Sequence, residues 1–322
     1  MKAKLLIITN DIFDISAKDF TEILEIGAKN DLEIELREAD EVKRTDVTEA
    51  EIIFGWPNKN LLPEAKNLKW IQLPSAGADS YADSALYYNP DFILTNSSGV
   101  YGKAIAEHVL GMIFAYSRNL QQYAYQKQKR NWQRLDPRPG LFNSTVAVLG
   151  FGDIGQTVAQ RVKDFGADVL VVKRTMCEKP TYVDKIYLTD QLLTVLKLAD
   201  YVILTLPSTP ATQGIIGEAE LKIMNDNAFL VNIGRGSLID QAALIRALKT
   251  DSIAGAGLDV TTPEPLPVDS ELWDLDNVIL TSHSSGFEPG NDSRRYQLFK
   301  HNLLKYLAGE PLNNQVSFNL KY

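Results

Sequence analysis

The chain has 322 residues, 45% of them hydrophobic and 23% charged, and carries a formal net charge of −8. That length accommodates two domains with separate cores, and the acidic balance argues against nucleic acid or an anionic membrane surface as a partner. A single cysteine, Cys177, excludes an internal disulfide framework and suits a reducing compartment.

Residues 5–9 read as a first buried strand. Polar Thr9, Asn10 and Asp11 cut that run far short of a signal-peptide core, and no apolar run approaches the ~18 residues of a membrane helix. The chain therefore reads as soluble and cytoplasmic. Ser16 precedes Asp19 by three residues, close to a capping box. Phe20, Ile23 and Leu24 supply the apolar face of the helix that follows. Strand patterns recur at 32–36, 52–56, 68–73 and 92–95. Strands alternating with helices predict an open parallel sheet covered on both faces, whose ligands would meet the loops at the carboxyl ends of its strands. Two such loops consist of small residues: Pro74-Ser75-Ala76-Gly77-Ala78-Asp79 and Asn96-Ser97-Ser98-Gly99. Backbone N–H groups there could hold a carboxylate; equally, both could be plain turns.

Ile105, Val109, Met112, Ile113 and Tyr116 fall on one face of a longer helix, expected to carry the chain from the first sheet towards a second. Residues 120–142 are polar and irregular, with Lys127, Lys129, Arg130 and Arg134 reading as a solvated face. Trp132 within so polar a segment points either to a partner subunit or to packing on its own domain.

Residues 146–175 organise the chain. Val146, Ala147, Val148 and Leu149 are continuously apolar, as in a strand buried on both faces. Gly150, Gly152 and Gly155 follow at G-x-G-x-x-G spacing, then Ile154, Val158, Val162 and Phe165 at helical spacing, then a second apolar strand at 169–172. In such a unit the first glycine permits a tight turn, the second lets backbone approach a pyrophosphate, and the third lets helix pack on strand. The N-terminus of the helix presents N–H groups to the anion. Further strands are expected at 201–206, 229–233, 254–259 and 278–281. Ser237 is expected to cap a helix carrying Ala243, Leu244, Ala247 and Leu248. A last helix at 295–307 has Leu298, Leu303, Leu304 and Leu307 as its apolar positions, and the tail from residue 313 could return to the first domain.

Arg235, Glu264 and His283 each stand just beyond a predicted strand end of the second domain, at the edge where the dinucleotide would lie. Reduction of a carbonyl by hydride needs an acid for the new alkoxide, and histidine holds and releases a proton near neutral pH. A carboxylate beside it orients the ring and favours its charged form, which suits Glu264. A guanidinium can grip a substrate carboxylate through two parallel hydrogen bonds, which suits Arg235. The implied substrate is a small 2-oxo acid. No G-x-S-x-G turn is present. No zinc motif is either, since His108, His283 and His301 are dispersed.

These motifs together resemble the D-isomer specific 2-hydroxyacid dehydrogenases. The resemblance runs through Ser75 to Asp79, Asn96 to Gly99 with Ala106-Glu107-His108, and Gly150 to Gly155. It continues through Leu206-Pro207-Ser208-Thr209-Pro210, Asn232 to Gly236, Gly255 to Val260, Glu264 to Pro267 and Thr281-Ser282-His283. It implies a Rossmann cofactor domain (residues 99–286) inserted in a flavodoxin-like substrate-binding lid domain (residues 1–98 and 287–322). It implies Arg235, Glu264 and His283 as the catalytic set, and Ser75, Ala76 and Gly77 with Arg235 and His283 at the substrate. The candidate cofactor set is then Gly150, Gly152, Asp153, Ile154, Gly155, Leu206, Pro207, Thr212, Ile233, Gly234, Arg235, Asp259 and His283, with Lys173, Arg174 and Thr175 added from their own chemistry; the resemblance implies Asp259 on the nicotinamide carboxamide. It also implies a homodimer with residues 120–142 as an arm, and no metal.

Two departures matter. Ser282 stands where members commonly have proline, and Ser284-Ser285-Gly286 is closer to the glyoxylate/hydroxypyruvate reductase branch. An NAD-preferring site usually carries an acid at the end of the second strand of the dinucleotide unit, whereas this strand ends Lys173-Arg174-Thr175. Two cations and a hydroxyl there favour NADPH, with NAD possible. The expected activity is reduction of small 2-oxo acids to D-2-hydroxy acids. The alternatives are an NAD-dependent D-lactate or D-3-phosphoglycerate dehydrogenase and, from another class, a non-catalytic NAD(P)-sensing protein.

Overall fold

The computed structural model describes residues 2–322. The chain opens with β1 (Ala3–Thr9), α1 (Ala17–Lys29), β2 (Leu32–Glu38), α2 (Arg44–Glu49), β3 (Ile52–Phe54), β4 (Trp70–Gln72) and β5 (Ile93–Thr95). It continues through α3 (Gly102–Ser117), α4 (Leu120–Gln128), β6 (Thr145–Leu149), α5 (Asp153–Asp164), β7 (Asp168–Lys173), β8 (Lys185–Leu188), α6 (Leu192–Leu198) and β9 (Tyr201–Leu204). The last elements are α7 (Glu218–Ile223), β10 (Phe229–Asn232), α8 (Gln241–Lys249), β11 (Gly255–Leu258), β12 (Val278–Leu280) and α9 (Asn291–Ala308). They form two compact units, Met1–Tyr101 with Glu288–Tyr322, and Gly102–Phe287.

The first unit holds a five-stranded sheet of order β2-β1-β3-β4-β5, with every pairing parallel. That order is the flavodoxin-like doubly wound one. Alternation along β1 explains its two covered faces: Leu5 and Ile7 join one apolar cluster with Phe54, Trp70 and Phe299, while Leu6 and Ile8 join another with Ile53, Ile71 and Leu73. Ser16 caps α1, its hydroxyl accepting from the Asp19 N–H at 3.1 Å. The tail lies along this sheet, with the Val316 N–H donating to the Leu94 carbonyl at 2.8 Å.

The second unit holds a seven-stranded parallel sheet of order β12-β11-β10-β9-β6-β7-β8. The doubly wound α/β architecture read from the pattern is the one the chain adopts. All of α3 belongs to this unit; its face of Ile105, Val109, Met112, Ile113 and Tyr116 is buried, and it packs on α5, β10 and β11.

Several local expectations are corrected. The cap of α8 is Asp240, whose carboxylate accepts from the Ala243 N–H at 3.0 Å, rather than Ser237. Ser237 sits in a short 3-10 turn, and its hydroxyl meets that of Ser208 at 2.9 Å. In α9 Leu303 is buried as expected, but Leu304 is exposed, and Tyr296 and Phe299 fill the core beside Leu303. Aromatic stacking selects that face, since the Phe299 ring lies 4.2 Å from Phe54 and 5.5 Å from Trp70. Residues 120–128 are helical although none is buried, so no apolar period announces α4. Trp132 is fully exposed and does not pack on its own unit. Among the described residues no helix is long and apolar enough to cross a membrane.

Candidate active site

The register of the seven-stranded sheet lines up its strand ends. Leu149 pairs with Val172 and Leu204, Leu204 with Asn232, Asn232 with Leu258, and Leu258 with Leu280. Gly150, Thr205, Ile233, Asp259 and Thr281 therefore stand in one row just past the carboxyl edge. This is the edge where doubly wound sheets bind ligands.

At the β6–α5 turn each glycine has a distinct steric reason. Gly150 adopts φ +100°, a conformation that side chains rarely take. A Cβ on Gly155 would stand 2.2 Å from the Gly150 carbonyl oxygen, whereas one on Gly152 would meet nothing within 4 Å. Gly152 is also the N-cap of α5 and offers no side-chain cap, which leaves the first-turn N–H groups of Asp153 and Ile154 directed at open space. A dinucleotide pyrophosphate fits this cradle. Gly155→Ala is expected to lower Tm through overpacking worth about 1–3 kcal/mol. Gly152→Ala should leave Tm unchanged and weaken dinucleotide binding alone; thermal melts and cofactor titration of both variants check this.

Lys173 closes β7 beside this turn, because the Gly150 N–H donates to the Val172 carbonyl at 2.9 Å. Its ammonium lies 5.8 Å from the Phe151 ring centroid, and Arg174 and Thr175 follow it, exposed. Leu206 and Pro207 follow β9. A Cβ on Gly234 would come within 2.8 Å of the Leu206 carbonyl oxygen, so these two loops touch. The Thr212 hydroxyl bonds the Pro207 carbonyl at 2.6 Å and accepts from the Thr209 N–H at 2.9 Å, which holds the 207–212 loop closed.

Glu264 and His283 meet across the β11 and β12 loops, with Glu264 Oε2 2.9 Å from His283 Nδ1. Glu264 Oε1 accepts from the Thr261 N–H at 2.9 Å, so the carboxylate is anchored at both oxygens. His283 itself takes φ +52°, a left-handed conformation that costs a non-glycine residue of order 1–3 kcal/mol and concentrates at functional sites. Its backbone N–H donates to the Asp259 carbonyl at 2.8 Å.

Asp259 is 1% exposed. Its carboxylate accepts from the Thr281 hydroxyl at 2.6 Å and from the N–H groups of Ser284 at 2.9 Å and Ser285 at 3.0 Å. Burial pushes this carboxyl up, but the bonds from Ser285, Thr281 and Ser284 outweigh it and hold the group below the ordinary carboxylate value.

Arg235 follows β10. Its Nη1 bonds the Gly234 carbonyl at 2.7 Å. Two residues that the sequence reading left without a role shape this corner. Buried Asn232 clamps the turn, donating to the Arg235 carbonyl at 2.9 Å and accepting from the Gly234 N–H at 3.1 Å. A Cβ on Gly236 would lie 1.9 Å from the Thr261 carbonyl oxygen, so only glycine lets the Arg235 loop press against the loop that carries Glu264. Asn232 and Gly236 both lay within the quoted motif; what escaped was the cross-loop contact they serve.

In the first unit the Ser75-Ala76-Gly77 loop is held by its carbonyls. Ser75 O accepts from the Ser97 N–H at 2.8 Å, Ala76 O from Asn96 Nδ2 at 2.8 Å, and Gly77 O from the Ser75 hydroxyl at 2.8 Å. Among the described residues the Ala76 and Gly77 N–H groups have no partner, as an anion-binding loop requires. Buried Tyr101 bonds the Pro74 carbonyl and accepts from Arg295 Nε at 2.8 Å.

A glycine-rich turn on a parallel sheet, with an imidazole–carboxylate pair on the same carboxyl edge, defines a dinucleotide-dependent oxidoreductase. Comparison with known proteins places it further. Residues 110–285 match the family described as D-isomer specific 2-hydroxyacid dehydrogenase, NAD binding domain. A glyoxylate reductase from Thermococcus litoralis is 34% identical over 271 residues, covering 81% of this chain and 80% of that one. A D-isomer specific 2-hydroxyacid dehydrogenase family protein from Aeromonas salmonicida superposes with a TM-score of 0.86 at 31% identity, over 99% of this chain and 100% of that one. A D-isomer specific 2-hydroxyacid dehydrogenase from Xanthobacter autotrophicus, solved with NADPH and MES, gives 0.82 at 28% identity over 100% of this chain and 99% of that one. The chain belongs to the D-isomer specific 2-hydroxyacid dehydrogenase family of NAD(P)-dependent oxidoreductases.

Proposed function

We propose that this enzyme reduces small 2-oxo acids, glyoxylate and hydroxypyruvate among them, to D-2-hydroxy acids and prefers NADPH. The 2.9 Å contact between His283 Nδ1 and Glu264 carries the proposal. With Nδ1–H donated to the carboxylate, the other ring nitrogen is left for the substrate. The Gly150–Gly155 turn would hold NADPH, which when bound would supply the hydride. His283 Nε2 gives its proton to the oxygen that becomes the hydroxyl, and Glu264 stabilises the imidazolium before that transfer and fixes the ring. Arg235 pairs with the substrate carboxylate and draws electron density from the adjacent carbonyl. Asp259, engaged on both oxygens by the 281–285 loop, holds that loop.

The cofactor preference rests on Lys173, Arg174 and Thr175 at the end of β7. The ribose 2′-hydroxyl of a bound dinucleotide meets this position, and cations here favour a 2′-phosphate. A panel of 2-oxo acids assayed with NADPH and NADH tests both parts; absence of turnover on every acid would overturn the activity, and equal efficiency with NADH the preference. Arg174→Asp is expected to lower kcat/KM with NADPH about tenfold or more, by replacing a charged hydrogen-bond donor with a repelling carboxylate, while leaving NADH-dependent turnover intact. The ratio of the two efficiencies in wild type and variant measures the effect.

A further inference from the structure

His108 lies on α3 and has no part in the mechanism above, yet it contacts the loop that carries His283. Its Nε2 stands 3.0 Å from the Thr281 hydroxyl and 3.8 Å from Asp259 Oδ1. The Thr281 hydroxyl lies 2.6 Å from Asp259 Oδ1.

Counting protons settles the direction of this chain of bonds. A threonine hydroxyl carries one hydrogen, and an ionised carboxylate carries none. Two oxygens 2.6 Å apart repel unless a hydrogen lies between them, so the Thr281 proton goes to Asp259. The contact with His108 is then made through a hydroxyl lone pair, and His108 Nε2 must be the donor. Neutral His108 is therefore the Nε2–H tautomer. The chain runs one way, from His108 to Thr281 to Asp259.

Asp259 passes the constraint on. Its carboxylate receives the N–H groups of Ser284 and Ser285, and its carbonyl receives that of His283. These bonds enclose His283 and hold it at φ +52°, the conformation in which its ring meets Glu264. A donor on Thr281 polarises its hydroxyl and strengthens the bond that this hydroxyl makes in turn.

We propose that His108 is a positioning residue for the His283–Glu264 pair, acting through Thr281 and Asp259 without touching substrate. The proposal rests on His283 being the acid, and its experiment separates the two. His108→Leu and Thr281→Val remove successive links of the same chain. In the intact enzyme at saturating 2-oxo acid and NADPH, each is expected to lower kcat about three- to tenfold, the worth of one hydrogen bond. The double variant should fall no further than the worse single one, because the links act in series. The dissociation constant of NADPH should hold, and His108→Gln, which keeps an N–H donor, should recover most of the loss.

Unchanged kcat in His108→Leu overturns the proposal, as do additive losses or an equal loss of cofactor affinity. If His283→Ala also keeps its turnover, the assignment of His283 as the acid fails; if His283→Ala is inactive and His108→Leu is silent, only the positioning role fails. Nitrogen-15 spectra of the wild-type imidazoles supply a readout independent of any variant: neutral His108 is expected as the Nε2–H tautomer, and the Nδ1–H form overturns the assignment.

Discussion

Replacing His283 with alanine is expected to reduce kcat by about 10²- to 10⁴-fold, the usual contribution of a positioned general acid. The variant should retain NADPH binding, because the cradle proposed for the pyrophosphate is the β6–α5 turn, several strands away in the sheet order. The loss should appear in kcat and kcat/KM alike, the pattern for an interaction made only in the transition state. Steady-state rates, with fluorescence titration of NADPH as the control, make the measurement. Turnover within tenfold of wild type would remove His283 from the role of acid. Glu264→Gln is the informative companion, since it keeps a hydrogen-bond acceptor at 2.9 Å from Nδ1 but cannot offset the charge of the imidazolium.

Arg235→Gln is expected to lower kcat/KM for a small 2-oxo acid about 10²- to 10³-fold, the ~3–4 kcal/mol carried by two charge-assisted hydrogen bonds. The smallest substrates should suffer most, because glyoxylate has little beyond its carboxylate and carbonyl to bind. Arg235→Lys should recover only part, since an ammonium is a point charge without the planar fork. The turn itself should survive the change: Asn232 clamps it through the backbone of residues 234 and 235, independently of the Arg235 side chain. Kinetics across the acid panel, with NADPH affinity as the control, provide the check. An efficiency within threefold of wild type would assign the carboxylate to another group.

The family was legible before any coordinates because its signals are local. Glycine spacing, apolar runs and strand-end polar residues each lie within a few positions of one another, and backbone sterics act at that range. The same locality explains the failures. Ser237 and Asp240 are both plausible caps, and only the true first turn of α8 chooses Asp240. Leu304 reads as a core residue until the ring of Phe299 stacks on Phe54 and turns that side of α9 away. The helix α4 has no buried face, so it leaves no period to detect. Strand β8 was missed because only Ile186 and Tyr187 of its residues are buried, too few to alternate.

The strand–turn–helix unit of residues 146–175, the doubly wound class and the candidate groups Arg235, Glu264 and His283 were determined by the sequence alone, because each signal depends on neighbours along the chain. The tertiary structure decided how those groups meet. Strand register brings Glu264 to His283 across 19 positions, Gly236 admits the Arg235 loop against Thr261, and Asp259 gathers Thr281, Ser284 and Ser285 around the histidine. Hydrogen bonds and close packing of this kind join residues far apart in the chain, and their geometry exists only once the strands are paired.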